Sequence, residues 1–487
     1  MKDKIFILTA SAIILTSIKC FGIDLTSKYT SDILEDPLFT KPNILNSNVP
    51  TLPNETGMLS CSQTRDLSEP FTLLEAVDFA LCNNKQISMA WINIKIQAAQ
   101  LGQARSAYLP TLSLGLNRVK DTTTYPKSNL PKSTLIKDTE SASAALRLFD
   151  FGGRSATVES ANLLLQAAIS TQDSALQNIV AKVVSDYFDT LTSLATLKAK
   201  RQNEVIAKSI LELAKRRAKK GASSQSDILQ AVTSLSRASL ESSRAKSAYE
   251  KAVSVLAYDM GAPLSGQIII ADSLNDSSYQ HNTTKEDLSR LMAQTKKSHP
   301  AILAAREKFL AAKQAIVISR SEGMPNVDLS LNYYQNGRPN QGLSSTKTRE
   351  VLLGINLSIP ILEGFNRTYK IREAQAKAQQ RETELGDIEQ QVLLEVLKSH
   401  SNALSASSNL SSSKDLLSSA IGSLEVSKRR YNRGAADMLE LLSIQNTLED
   451  AKQERIRCLA EWYSARLQLL ASLGVLNRSS IGSLTER

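Results

Sequence analysis

Ser224 and Asp227 stand three residues apart at the head of an apolar periodic run, and Asp437 and Glu440 hold the same spacing 213 residues later. A short oxygen-bearing residue followed three positions on by an acid is the pattern of a capping box, whose chemistry is to satisfy the exposed amides of a helix start. Other chemistry-bearing residues are sparse. His281, His299 and His400 are far apart and lack metal-ligand spacing, and the 487 residues hold neither a Gly-rich phosphate loop nor a nucleophile elbow. The expectation is therefore no catalysis, no cofactor and no metal. Cys61 and Cys82 bracket the junction of a Pro-rich tail with the first helix and are expected to be a disulfide pair. Cys458 stands at a small position of a helical seam, where a packing thiol is expected.

The acids belong to a segment written twice. Lys215-Arg216-Arg217-Ala218-Lys219-Lys220-Gly221-Ala222 recurs as Lys428-Arg429-Arg430-Tyr431-Asn432-Arg433-Gly434-Ala435. The same step of 213 takes Leu229 to Leu442, Leu235 to Leu448, Leu256 to Leu469 and Gly261 to Gly474, and it reaches back to Arg154 and Arg367. A fixed offset over so many positions is a duplication, with Gly221 and Gly434 marking equivalent tip turns.

The elements that carry the tips are legible from period. From 155 to 220 there are 66 residues without proline or glycine, and 368–433 is a second run of 66 interrupted only by Gly386 and Gly422. At 1.5 Å per residue each predicts a helix about 100 Å long. Shorter helices are predicted over 71–107, 227–260, 286–322 and 438–473, so that each repeat supplies one long helix and two short ones stacked beside it. Ile228, Ala231, Leu235, Ala238, Ser242, Ala245, Tyr249, Ala252 and Leu256 form a heptad seam, repeated as Leu441, Ile444, Leu448, Ala451, Arg455, Cys458, Trp462, Ala465 and Leu469.

Between the helices the period changes to two. Leu112, Leu114 and Leu116 alternate with Ser113, Gly115 and Asn117, and Ala142, Ala144, Leu146 and Leu148 with Ser141, Ser143 and Arg147. In the second repeat Val327, Leu329, Leu331 and Tyr333 alternate with polar residues, as do Leu353, Ile355, Leu357 and Ile359. Four such strands have the size and pattern of transmembrane β-strands but cannot close a barrel alone, so other subunits must complete the sheet. A soluble sheet with one face on a core is the competing reading, and the helices weigh against it.

Residues 1–22, with Lys2 and Lys4 before an apolar run to Ile18, resemble an export signal. Cys20 follows Lys19, a poor fit to a lipid-attachment box. Residues 23–68 read as an extended tail, 69–261 and 286–475 as the repeats, 262–285 as the linker between them and 476–487 as a C-terminal tail. The net charge of +10 is spread along the chain and reads as solvated helix faces, with no nucleic-acid arm.

The order helix, Tyr108-Leu109-Pro110, hairpin, Leu148-Phe149-Asp150-Phe151-Gly152-Gly153-Arg154, long helix, tip and return helix, given twice, resembles the TolC family of outer-membrane efflux and secretion channels. The run from Arg430 to Leu442 resembles that family's second tip motif, and Glu75 to Asn84 resembles its CyaE-like branch, tied to type I protein secretion. The resemblance implies a mainly α chain with a small β part, trimeric, with a twelve-stranded transmembrane barrel in outer-membrane lipid continued by a twelve-helix barrel across the periplasm. It implies a periplasmic adaptor and an inner-membrane pump, ABC-type or proton-driven, as partners. It also implies that Asp227 holds neighbouring helices shut with Tyr431, and that three copies of Glu440 line the constriction as a cation-attracting ring. Ala436 stands where the best-known members carry the gate arginine, so Arg430 or Arg433 is expected to replace it, and Ser443 stands where they carry a second pore acid. A trimeric coiled-coil stalk would share the long helices and the export signal but leaves two hairpins at equivalent points of a duplication unexplained.

Overall fold

The computed structural model describes residues 36–46, 69–126, 131–219, 224–263, 268–271, 288–338, 348–433, 435–436 and 438–476. The segment expected to be an export signal, with Cys20, most of the expected tail and the last residues lie outside these, as do Cys61, Gly221, Gly434 and the side chain of Tyr431. The elements are α1 (Leu73–Asn83), α2 (Lys85–Ser106), β1 (Thr111–Thr123), β2 (Ser133–Phe149), α3 (Gly153–Lys219), α4 (Gln225–Met260), α5 (Leu288–Ser298), α6 (Pro300–Ser321), β3 (Asn326–Gln335), β4 (Arg349–Ser358), α7 (Asn366–Asn432) and α8 (Met438–Ser472). Both long helices, α3 and α7, run 67 residues. The second-repeat elements follow their counterparts at 213 from the long helix onward, and α6 and β3 follow α2 and β1 at 215.

The helices expected over 71–107 and 286–322 are each broken in two. Asn84 leaves the helix at φ −65°, ψ 129°; its Oδ1 accepts from Gln86 N at 2.8 Å and so starts α2. A short amide side chain that bonds its own neighbourhood competes with the helical ladder. In the second repeat His299 takes this role, its Nδ1 accepting from Ala301 N at 3.3 Å while Pro300 opens α6. Proline suits a first helical position because no partner is needed for the missing N–H. Burial holds the His299 imidazole below its ordinary value, which keeps Nδ1 available as an acceptor.

Each break receives the end of the return helix. Gly261 (φ 74°) and Gly474 (φ 72°) are left-handed, and a Cβ on Gly261 would come within 2.5 Å of the Asn83 carbonyl oxygen, one on Gly474 within 2.9 Å of Pro300 Cδ. Only glycine meets both the dihedral and the close approach.

The contacts divide into two units. The larger holds the described parts of 47–94, 166–309 and 379–487. Its main core joins Phe71, Leu81, Val180, Val183, Tyr187, Leu256, Met260 and Leu467. Phe71 pairs in parallel with Ile270, and Tyr187 Oη donates to the Phe71 carbonyl at 3.0 Å. Burial pushes that phenol up to about 12. All eighteen seam residues of α4 and α8 are buried or half-buried. Arg455, at the position of Ser242, is buried and donates to the Leu410 carbonyl at 2.6 Å and to Ser413 Oγ at 3.1 Å. Cys458 is a buried unbridged thiol packed with Leu410 and Leu459. Cys82 is disulfide-bonded.

The smaller unit holds 95–165, 310–378 and the described part of the first 46 residues. Its four strands form one antiparallel sheet in the order β1-β2-β3-β4. The described part of the tail, residues 36–46 of a segment expected to be extended, is pinned here. Asp36 caps Thr40 N at 3.0 Å, Arg105 donates to the Leu38 carbonyl at 2.9 Å, and Asn43–Asn46 forms a 3-10 turn.

Candidate functional site

The sheet puts its apolar residues where water or lipid must meet them. Leu112, Leu114 and Leu116 are 74–85% exposed, and Val351, Leu353, Ile355 and Leu357 are 61–73% exposed. The register aligns this face across the strands, with Leu114 opposite Ala142, Leu146 opposite Leu329, and Leu331 opposite Leu353. The other face is a polar ladder. The Ser113 and Ser143 hydroxyls lie 2.6 Å apart, Arg147 Nε donates to Asp328 Oδ1 at 2.9 Å, and Asn356 Nδ2 donates to Ser330 Oγ at 3.2 Å. An exposed apolar band backed by a polar face suits a wall between lipid and water. Among the described residues β1 and β4 are edges of the sheet, and in lipid such edges require strands from elsewhere.

Where the strands hand over to the long helix, Arg154 fastens three segments. It donates through Nη1 to the Arg147 carbonyl at 2.7 Å and through Nη2 to the Leu148 carbonyl at 3.2 Å, and lies 4.6 Å from the centroid of the Tyr108 ring. Asp150 Oδ2 accepts from Arg154 N at 2.8 Å and caps α3. Phe151 and Gly152 turn the chain with φ of 51° and 87°; in the second repeat Gly364 and Phe365 do so at 60° and 64°. There Arg367 lies over Gly323, whose missing side chain leaves it room. The recurrence of this arginine at 213 was the sequence signal for the junction, but its bonding pattern was not readable from it.

The two tips differ. At the first, Ser224 Oγ accepts from Asp227 N at 3.2 Å and Asp227 Oδ2 accepts from Ser224 N at 3.0 Å, a complete capping box. Leu211 and Ala214 of α3 pack on Ala231, with Ile228 and Leu235 beside them. At the second, Ala435 N donates to the Arg430 carbonyl at 2.9 Å. The Arg430 side chain then bridges the turn, donating through Nη1 to Glu440 Oε1 at 2.6 Å and through Nη2 to the Ala435 carbonyl at 3.3 Å. Arg433 is exposed. The expected bond from Asp227 to Tyr431 involves a side chain outside the described residues, and the capping position of Asp437 lies outside them too.

Among the described residues no three or more His, Cys, Asp and Glu converge as metal ligands, and no helix is long and apolar enough to cross a membrane. The model of the family described as outer membrane efflux protein matches residues 76–262 and again 291–475. Protein CyaE of Bordetella pertussis is 30% identical over 86% of this chain and 88% of its own length. Outer membrane protein TolC of Escherichia coli is 22% identical over 88% of this chain and 87% of its own. The crystal structure of the outer membrane protein VceC from Vibrio cholerae superposes with a TM-score of 0.70 at 18% identity, covering 82% of this chain and 96% of that one.

Proposed function

The chain belongs to the outer membrane efflux protein family, the TolC family of channels, and from that premise we propose that it is the exit duct of a type I protein-secretion system. Members of the family are outer-membrane channels of tripartite export systems, and this chain is one, placed in the outer membrane and extending into the periplasm. The finer reading rests on one observation: CyaE is 30% identical over most of both chains, against 22% for TolC. The Glu75 to Asn84 segment, which resembles the CyaE-like branch, covers α1 from its third residue to its C-cap, Asn84.

The working unit is a homotrimer in this reading. Four strands with two open edges and an exposed apolar face need more strands, and three copies supply twelve. The apolar band meets lipid, the ladder of Ser113, Ser143, Arg147 and Asp328 faces the lumen, and two repeats per copy supply a ring of helices. The duct does no chemistry. Energy comes from an ABC pump through a periplasmic adaptor, and the tips at Gly221 and Gly434 open like an iris. Asp227 with Tyr431 holds the tips closed, and Glu440, tied to Arg430, gives the constriction a ring of lowered charge.

Deleting the gene tests the cargo. The expected result is loss of one or a few proteins from the culture medium with drug susceptibility unchanged. Raised drug susceptibility with an unchanged set of secreted proteins would favour a proton-driven drug-efflux system instead.

A further inference from the structure

The first repeat contains a pair of acids that the second lacks. Asp186 lies on α3 between Val183 and Tyr187 of the larger unit's core, and Asp259 lies in the last turn of α4, with its side chain 2% exposed. Asp259 Oδ1 accepts from Lys182 Nζ at 2.8 Å, and the Asp259 carbonyl accepts from Asn84 Nδ2 at 2.7 Å. Two residues on, Gly261 rests against the α1–α2 break. Asp259 therefore sits at the joint where the return helix meets the rest of its repeat.

Asp186 Oδ2 and Asp259 Oδ2 are both buried without a hydrogen-bond donor, and Lys182, one turn before Asp186 on α3, holds the Asp259 carboxylate beside that face of the helix. Two ionised carboxylates only accept and repel each other, whereas a single proton between them turns one into a donor and satisfies both oxygens. A step of 213 replaces the pair by Ser399 and Ser472, both buried, and Lys182 by Glu395. At the corresponding places the second repeat has two neutral hydroxyls, of which Ser472 Oγ donates to the Leu469 carbonyl of its own helix at 2.9 Å.

We propose that Asp186 and Asp259 share one proton and form a pH-sensitive clasp that holds the end of α4 against α3 in the first repeat alone. Burial, and then the hydrogen bond with Asp259 and its charge, push Asp186 up to about 7; Lys182 opposes this and Asp189 adds to it. The charged and titratable groups around the clasp are Lys182 and Asp189 from α3 and Tyr258 from α4, while α1 is followed there by the neutral amide of Asn84. An acid whose folded value is raised contributes stability that is complete below its ordinary 3.8 and is lost as pH rises from there through about 7. Asp173, raised to about 6 by burial, and Asp189, raised by burial, act with the same sign, so the test must be local. The Lys182 ammonium already sits on Asp259, which disfavours a metal cation in the same place.

Amide hydrogen exchange of the purified full-length protein, compared at about pH 5.5 and about pH 8 after correction for intrinsic rates, reads the joint directly. Peptides covering 252–262 are expected to lose protection about tenfold or more at the higher pH, while 465–475 stay unchanged. In Asp186→Asn, whose amide mimics the protonated acid, the change at 252–262 is expected to vanish. The double variant Asp186→Ser with Asp259→Ser installs the second repeat's joint and is expected to behave likewise, which keeps the test usable if the single variant folds poorly. Protection at 252–262 that is independent of pH in the unaltered protein, an equal loss at 465–475, or a loss that persists in the variants overturns the clasp.

Discussion

At the first tip, Ser224 and Asp227 satisfy each other within one helical turn; at the second, Arg430 crosses the turn to Glu440, ten residues on. At the strand-to-helix junctions, Arg154 lies over Tyr108 while Arg367 lies over Gly323, and at the helix breaks Asn84 caps with an amide where His299 caps with an imidazole. Both long helices nevertheless keep 67 residues, and the left-handed glycines Gly261 and Gly474 keep their places. Duplication has thus conserved what sets length and direction, and released the side chains that set charge. In the proposed trimer, whose ring would alternate the two repeats, lengths must match for the ring to close, whereas charge can be divided unequally between the halves.

The largest expected effect tests whether the two hairpins are equivalent. Leu116 and Leu331 occupy corresponding positions on the apolar face, and Asn117 and Asn332 their neighbours on the polar one. An Arg at either leucine is expected to cost about 2–4 kcal/mol and one at either asparagine far less, read by heat-modifiable migration of extracted trimer. Tolerance at Leu116 with intolerance at Leu331 would break the equivalence. A second contrast is covalent. Cys82 is disulfide-bonded, and the second repeat has Lys297 at the corresponding place. Mass spectrometry of non-reduced peptides is expected to join Cys61 to Cys82, and reduction to cost about 3 kcal/mol. Recovery of both as free thiols from exported protein would contradict the pairing.

The glycines sharpen the comparison further. Gly261→Ala meets a backbone carbonyl at 2.5 Å and Gly474→Ala a proline ring at 2.9 Å. The first is expected to cost about 2–3 kcal/mol and the second about 1–2 kcal/mol, by thermal denaturation. Equal losses would mean that the joint, not the obstacle, sets the cost.

How much of this was legible in the sequence follows from the range of the forces. Leu112 to Leu116 announced a strand by period alone, and 66 residues without proline or glycine announced α3. The breaks at Asn84 and His299 were missed because a side chain bonding two residues on can interrupt a helix that composition favours; Pro300 was the available signal in the second repeat. The capping role of Asp227 needed only three residues and was readable, whereas the Arg430 to Glu440 pair spans a turn. Asp186 and Asp259, 73 positions apart, are brought to one core only by the packing of α4 on α3.

The smallest stability effects are expected at the tips, where selectivity is the better readout. Ser224→Ala removes a cap worth about 1 kcal/mol, and Arg430→Gln an exposed pair worth about 0.5 kcal/mol. Yet Arg430→Gln leaves Glu440 without this partner and is expected to raise cation selectivity and block by multivalent cations, with Glu440→Gln doing the reverse. Joint replacement of Asp227 by Ala and Tyr431 by Phe is expected to raise single-channel conductance. Unchanged conductance and selectivity alongside lower melting temperatures would reduce these residues to helix caps.

The central claim, that three copies of this chain make one continuous conduit, is tested most directly by recording purified trimer in a planar lipid bilayer. Discrete, uniform conductance steps from the unaltered protein are the predicted result. A bilayer that stays silent while the trimer is intact and inserted would contradict it and leave a structural stalk as the better description.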